Sequence, residues 1–115
     1  MEGSFIEEYV VLSRVEMDRL LRSYRKMSEA LSTSRSFFRA GQVELDETAV
    51  QAEMYSLRAM ILAVEEPRER MFLYHYYVKG QTLEGCAKIL GLSLRSVCRI
   101  KNRALDSLIK SIQKS

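Results

Sequence analysis

TLEGCAKILGLSLRSVCRIKNRAL, residues 82–105, decides the fold. Leu83, Cys86, Ala87 and Leu90 fall at i, i+3, i+4 and i+7, which lines one face of a short α-helix. Thr82, just ahead of them, suits an N-cap because its hydroxyl can accept from an otherwise unpaired N–H of the first turn. Gly91 ends the run. Gly91, Leu92 and Ser93 then make a three-residue connection in which glycine can take the left-handed conformation, Leu92 can plug the corner and Ser93 can cap the next helix. Ala87 is small enough to let two helices cross closely. The spacing predicts a helix-turn-helix.

On a wheel of about 100° per residue with Val97 at zero, the second helix separates into two faces. Leu94, Val97, Ile100, Ala104, Leu105, Leu108 and Ile112 fall in an arc from about −60° to +80°, the expected core face. Arg95, Arg99, Arg103 and Lys110 lie opposite, with Ser96 and Asn102 at the edges of the basic stripe and Asp106 interrupting it late. Lys101 falls inside the apolar arc and is expected to snorkel past the core edge. Charges in such positions commonly mean only a solvated face. A second explanation covers both faces at once: the second helix of a helix-turn-helix is the one a major groove receives. There, arginine can bond guanine O6 and N7 together, and long basic side chains also reach phosphates.

Outward from this motif the chain reads as helical. Pro67 after Glu65 and Glu66 suits the first position of a helix whose positive end faces acidic residues. That helix should run to about Val78, bury Phe72, Leu73, Tyr76 and Tyr77, and stop at Gly80. Met17, Leu20, Tyr24, Met27 and Leu31 recur with helical spacing behind a capping box at Ser4 and Glu7 or at Ser13 and Glu16. Residues 32–42, STSRSFFRAGQ, interrupt this pattern as a connection, with Phe37 and Phe38 expected to seal it. Val50, Met54, Leu57, Ile61 and Val64 then mark a second helix. The expected fold class is all-α: an N-terminal helical hairpin over residues 1–66, serving oligomerisation or partner contact, and a three-helix unit over 67–115. Whether the hairpin's stripes meet each other or a second copy stays open, so a homodimer is one expectation.

The 115 residues carry a formal net charge of +3 that is unevenly spread. Residues 1–66 hold 8 Lys+Arg and 12 Asp+Glu, and residues 67–115 hold 10 and 3. The basic half points to a polyanion partner. No apolar run approaches the roughly 18 residues of a membrane span, and MEGSFIEE lacks a basic leader, so a cytoplasmic protein with no membrane partner is expected. Cys86, Cys98 and a single His75 are too few for a disulfide framework or a metal site; the cysteines are expected to be small buried hydrophobes. No phosphate-binding glycine loop occurs, and His75 has no nucleophile or carboxylate at a telling spacing. No cofactor, metal or enzymatic activity is expected.

The segment PRERMFLYHYYVKGQTLEGCAKILGLSLRSVCRIKNRALDSL, residues 67–108, resembles the fourth conserved region of bacterial sigma factors. It has that family's order of parts: a PRE helix start, an aromatic before a glycine, T-L-E, A-x-x-L-G-x-S, a valine, and R-A-L-x-x-L. The resemblance implies a three-helix sigma region 4-like helix-turn-helix domain that reads double-stranded DNA, with RNA polymerase as a further partner. By position it implies that Arg95, Ser96 and Arg99 face the groove and that Thr82 and Ser93, at helix starts, touch phosphates; Arg103 extends the basic row. Gly85, Cys86, Leu94 and Cys98 depart from the family pattern, the last two where polar readers are common. Nothing before residue 67 resembles the aromatic-rich region that melts promoters. The arrangement resembles short regulators of phages and mobile elements of Gram-positive bacteria that activate late or packaging genes. The leading expectation is a sequence-specific DNA-binding transcription regulator. Alternatives are a helical interaction or oligomerisation module, and a DNA-packaging subunit using the same motif.

Overall fold

The structure, a computed structural model, describes residues 13–39 and 47–114. The Ser4–Glu7 box and the side chains of Phe37 and Phe38 lie outside the described part. Among the described residues five α-helices follow one another, with no strand: α1 (Arg14–Arg39), α2 (Glu47–Leu62), α3 (Pro67–Leu73), α4 (Leu83–Leu90) and α5 (Leu94–Lys114). A π-helical segment, Tyr74–Val78, continues α3. The fold is all-α, a helical hairpin followed by a helix-turn-helix.

Ser13 caps α1, its hydroxyl accepting from the Glu16 N–H at 3.1 Å. The helix outruns the expected break at residues 32–42 and continues to Arg39. Small polar residues lower helix propensity without stopping a helix, and residues 32–40 contain neither Gly nor Pro; Gly41 is the first strong breaker. The apolar stripe is wider than the 3,4 spacing implied, because Leu21 is fully buried beside Met17 and Tyr24. In α2, Leu57 and Ile61 are buried as spaced, followed by Val64.

Glu66 caps α3, its carboxylate accepting from the Glu69 N–H at 2.8 Å, with Pro67 in the first turn as expected. Arg70 donates back to the carbonyls of Val64 and Glu65 and fixes the corner between α2 and α3. The helix then widens. Lys79 N–H bonds the Tyr74 carbonyl five residues back, and Gln81 N–H bonds His75 across Gly80, whose φ of +73° closes the turn. Phe72, Leu73 and Tyr77 are buried, whereas Tyr76 is half-buried.

One apolar core runs through the molecule. Met17, Leu21 and Tyr24 of α1 and Leu57 and Ile61 of α2 join Phe72, Tyr77, Cys86, Val97, Ala104 and Leu108 in a single cluster. The first helix therefore packs both on α2 and on the helix-turn-helix. Among the described residues no buried side-chain nitrogen or oxygen lacks a hydrogen-bond partner.

Candidate nucleic-acid interface

The helix-turn-helix is built as its local sequence requires. Thr82 Oγ1 accepts from the Gly85 N–H at 2.9 Å, which caps α4. Gly91 adopts φ +68° and ends it. The Leu92 N–H bonds the Ala87 carbonyl at 2.9 Å and the Gly91 N–H bonds Lys88 at 3.3 Å, a Schellman closure that uses up two otherwise orphaned carbonyls. Ser93 Oγ accepts from the Ser96 N–H at 3.2 Å and starts α5. Leu92 is half-buried against the core, in the corner it was expected to plug.

On α5 the wheel holds for the core: Val97, Ile100, Ala104, Leu105 and Leu108 are buried and Ile112 partly so. One residue departs from it, and one cysteine departs from its expected burial. Leu94 is 44% exposed and stands apart from the core cluster, and Cys98 is exposed, so only Cys86 is a buried hydrophobe, its thiol pushed up by burial. The described contacts of the first helix with α5 side chains are at Lys101 and Asp106, beyond its first turn.

Arg95, Arg99 and Arg103 are all exposed along one side of α5, at i, i+4 and i+8. Among the described residues none of them is held by an intramolecular ion pair or hydrogen bond. Ser96 is half-buried between the arginine row and the turn, its hydroxyl 3.0 Å from Ser93 Oγ. Thr82 and Ser93 are exposed at the two helix starts. Arg68, which carries no signal in the local sequence, joins this surface: with Leu92, Ser96, Arg99, Ile100 and Arg103 it lines a shallow cleft of about 170 Å³. Three guanidiniums thus border one apolar-floored depression. Arg68 sits at the start of α3, distant in sequence, and only the packing of α3 on α5 reveals it.

The other charges of α5, Asp106 and Lys101, are satisfied from within. Asp106, the acidic interruption of the basic stripe, receives both Nε and Nη2 of Arg14 at 2.8 and 2.7 Å, and this pairing holds its carboxyl below the usual range. Lys101 does more than snorkel: its ammonium lies 3.7 Å from Asp18 and 5.1 Å from the centre of the Tyr76 ring. Asp18 also accepts from the Tyr77 hydroxyl and, at 2.8 Å, from Arg22 Nε. Burial pushes the Asp18 carboxyl up, but the Tyr77 hydroxyl, Arg22 and Lys101 together outweigh it, and its pKa falls. Burial, and then the neighbouring Asp18 carboxylate, push the Tyr77 phenol up.

Residues 62–110 match the family model of sigma-70, region 4. This part of the chain is a sigma region 4-like helix-turn-helix domain, the class of fold that the caps, the glycine turn and the two crossing helices define. Domains of this class bind DNA. No curated protein and no solved structure matches the chain. Among the described residues no helix is long and apolar enough to cross a membrane, and no group of three or more His, Cys, Asp or Glu side chains could hold a metal ion.

Proposed function

We propose that the protein is a sequence-specific double-stranded DNA-binding transcription regulator whose α5 enters the major groove. One observation carries this reading: α5 buries its apolar face from Val97 to Leu108, while Arg95, Arg99 and Arg103 stand in a row with no partner among the described residues. Arginines left unpaired beside a carboxylate that has been neutralised make a continuous cationic surface. With Arg68 at its border, that surface suits guanine edges and flanking phosphates. Ser93 starts α5 beside it, where phosphate oxygens are favoured, and Thr82 stands exposed at the start of α4. As a DNA-binding regulator the protein needs no catalytic residue and no cofactor.

The regulatory context is part of the same proposal. A sigma region 4-like domain behind a helical hairpin fits a small regulator of phage or mobile-element origin that touches RNA polymerase, with residues 1–66 acting as the oligomerising or partner-binding part. The exposed groove between α1 and α2, where Tyr24, Leu31, Met54 and Tyr55 alternate with Ser28, Ser32, Gln51 and Arg58, supports a protein-contact role for that half. Duplex binding measured across a salt series tests the central reading. With about 5 or 6 phosphates neutralised, log K should fall against log[salt] with a slope near −5. Affinity absent at low salt, or unchanged by salt, would reject it.

A further inference from the structure

The face of α5 that leaves the protein is two rows, and only one is charged. Arg95, Arg99 and Arg103 form one row; Leu94, Cys98 and Asn102 form the other, also spaced i, i+4, i+8 and displaced by about 100° around the helix. All six side chains are exposed. An exposed leucine is ordinary in itself, but Leu94 is unusual in its setting. Leu90 and Leu92, on either side of the turn, pack on the core, whereas Leu94 stands outside it at 44% exposure. It lies in the first turn of α5, the part of a recognition helix that approaches base edges most closely. It is therefore outside the described core cluster, with an exposed apolar edge at the start of α5 where a base edge would meet it. Cys98, one turn on, is a second small apolar surface beside it.

We infer that Leu94, flanked by Cys98, is a specificity-determining residue that reads the C5-methyl group of thymine in the major groove. The inference rests on the DNA-binding reading above. A leucine offers a base no hydrogen bond, and carbon atoms in the major groove favour the one base that presents a methyl group there. An adjacent arginine row then makes the surface bipartite: guanidiniums for guanine and phosphate, a hydrocarbon edge for thymine. The bound sequence should hold thymines at the positions facing the first turn of α5, next to the guanines read from Arg95 or Arg99.

The test uses the full chain and the duplex it selects best from a random pool. Each thymine is replaced singly by deoxyuridine, which deletes the methyl and leaves every hydrogen-bonding group in place. One or two replacements should weaken binding about threefold to fivefold, the worth of one buried methyl. The Leu94→Ala variant, whose thermal midpoint should equal the parent's, should bind the thymine and uridine duplexes equally. Equal affinity of the parent chain for both duplexes at every position, with Arg99→Ala still impairing binding, would overturn the methyl-reading role while leaving the DNA-binding function standing. Discrimination that persists in Leu94→Ala would overturn the assignment to this residue. Failure of the parent chain to select any duplex would overturn both readings.

Discussion

The first and last helices are both long and amphipathic, and they differ in what their charges touch. In α1, Arg14 holds Asp106, Asp18 holds Tyr77, Arg22 and Lys101, and Arg25 reaches the Lys79 carbonyl at 3.4 Å. In α5, Lys101 and Asp106 are engaged by α1, whereas Arg95, Arg99 and Arg103 are not held by any described residue. A helical wheel shows both sets as polar faces. Only pairing separates charges that assemble the protein from charges that remain available to a ligand.

This contrast breaks most clearly if both arginines nearest the start of the free row are removed. Arg95→Ala with Arg99→Ala should weaken binding to a selected duplex by about 1–3 kcal/mol for each residue, with relaxed base preference and an unchanged thermal midpoint. A binding titration beside a thermal melt measures both. If stability falls instead, the row is structural and the comparison fails.

Asp18 should behave in the opposite way. Asp18→Ala leaves the buried Tyr77 hydroxyl without its acceptor and should cost about 1–3 kcal/mol of stability in a denaturant titration. The folded protein should retain duplex binding. Because the Asp18 carboxyl is depressed in the folded state, its contribution is present above the unfolded carboxyl value of about 4 and is lost as pH falls through the lower folded value. Asp18→Asn should therefore flatten the acid limb of the stability profile. An unchanged acid limb would show that the carboxylate is not the linked group.

The smallest effect should come from Arg14→Ala. Its pair with Asp106 is exposed, so stability should barely change. The uncovered carboxylate on α5 should nevertheless weaken duplex binding at low salt by no more than about twofold, an effect that added salt erases. A twofold loss that survives high salt would point to a direct role for Arg14.

The helix-turn-helix was legible in the sequence because its determinants are local. Thr82, Gly91 and Ser93 each act within three or four residues, and the observed caps and turn follow from them. The hairpin stripes were legible for the same reason of periodicity. The features that escaped depend on neighbours far along the chain. Lys101 sits in the apolar arc because Asp18 of α1 meets it there, and Leu94 stands outside the core cluster although its spacing matches the core face. Arg68 joins the basic surface only through the packing of α3 on α5. The run of α1 through residues 32–39 was obscured by composition, since serine and threonine weaken a helical pattern that they do not interrupt.

The wide turn at Tyr74–Val78 has a consequence for how the two halves stay in phase. A π turn is an α-helix carrying one surplus residue. Deleting one residue there would restore regular i to i−4 bonding and leave the chain beyond the turn in nearly the same angular register, because the wide turn takes five residues to close what an α turn closes in four. With Phe72 and Leu73 anchored in the core ahead of it, the surplus residue is taken up within the turn and the Tyr77 hydroxyl reaches Asp18. The irregular turn acts as a phase adjuster, taking up one residue of chain while the phenol keeps the angular register in which it meets the carboxylate.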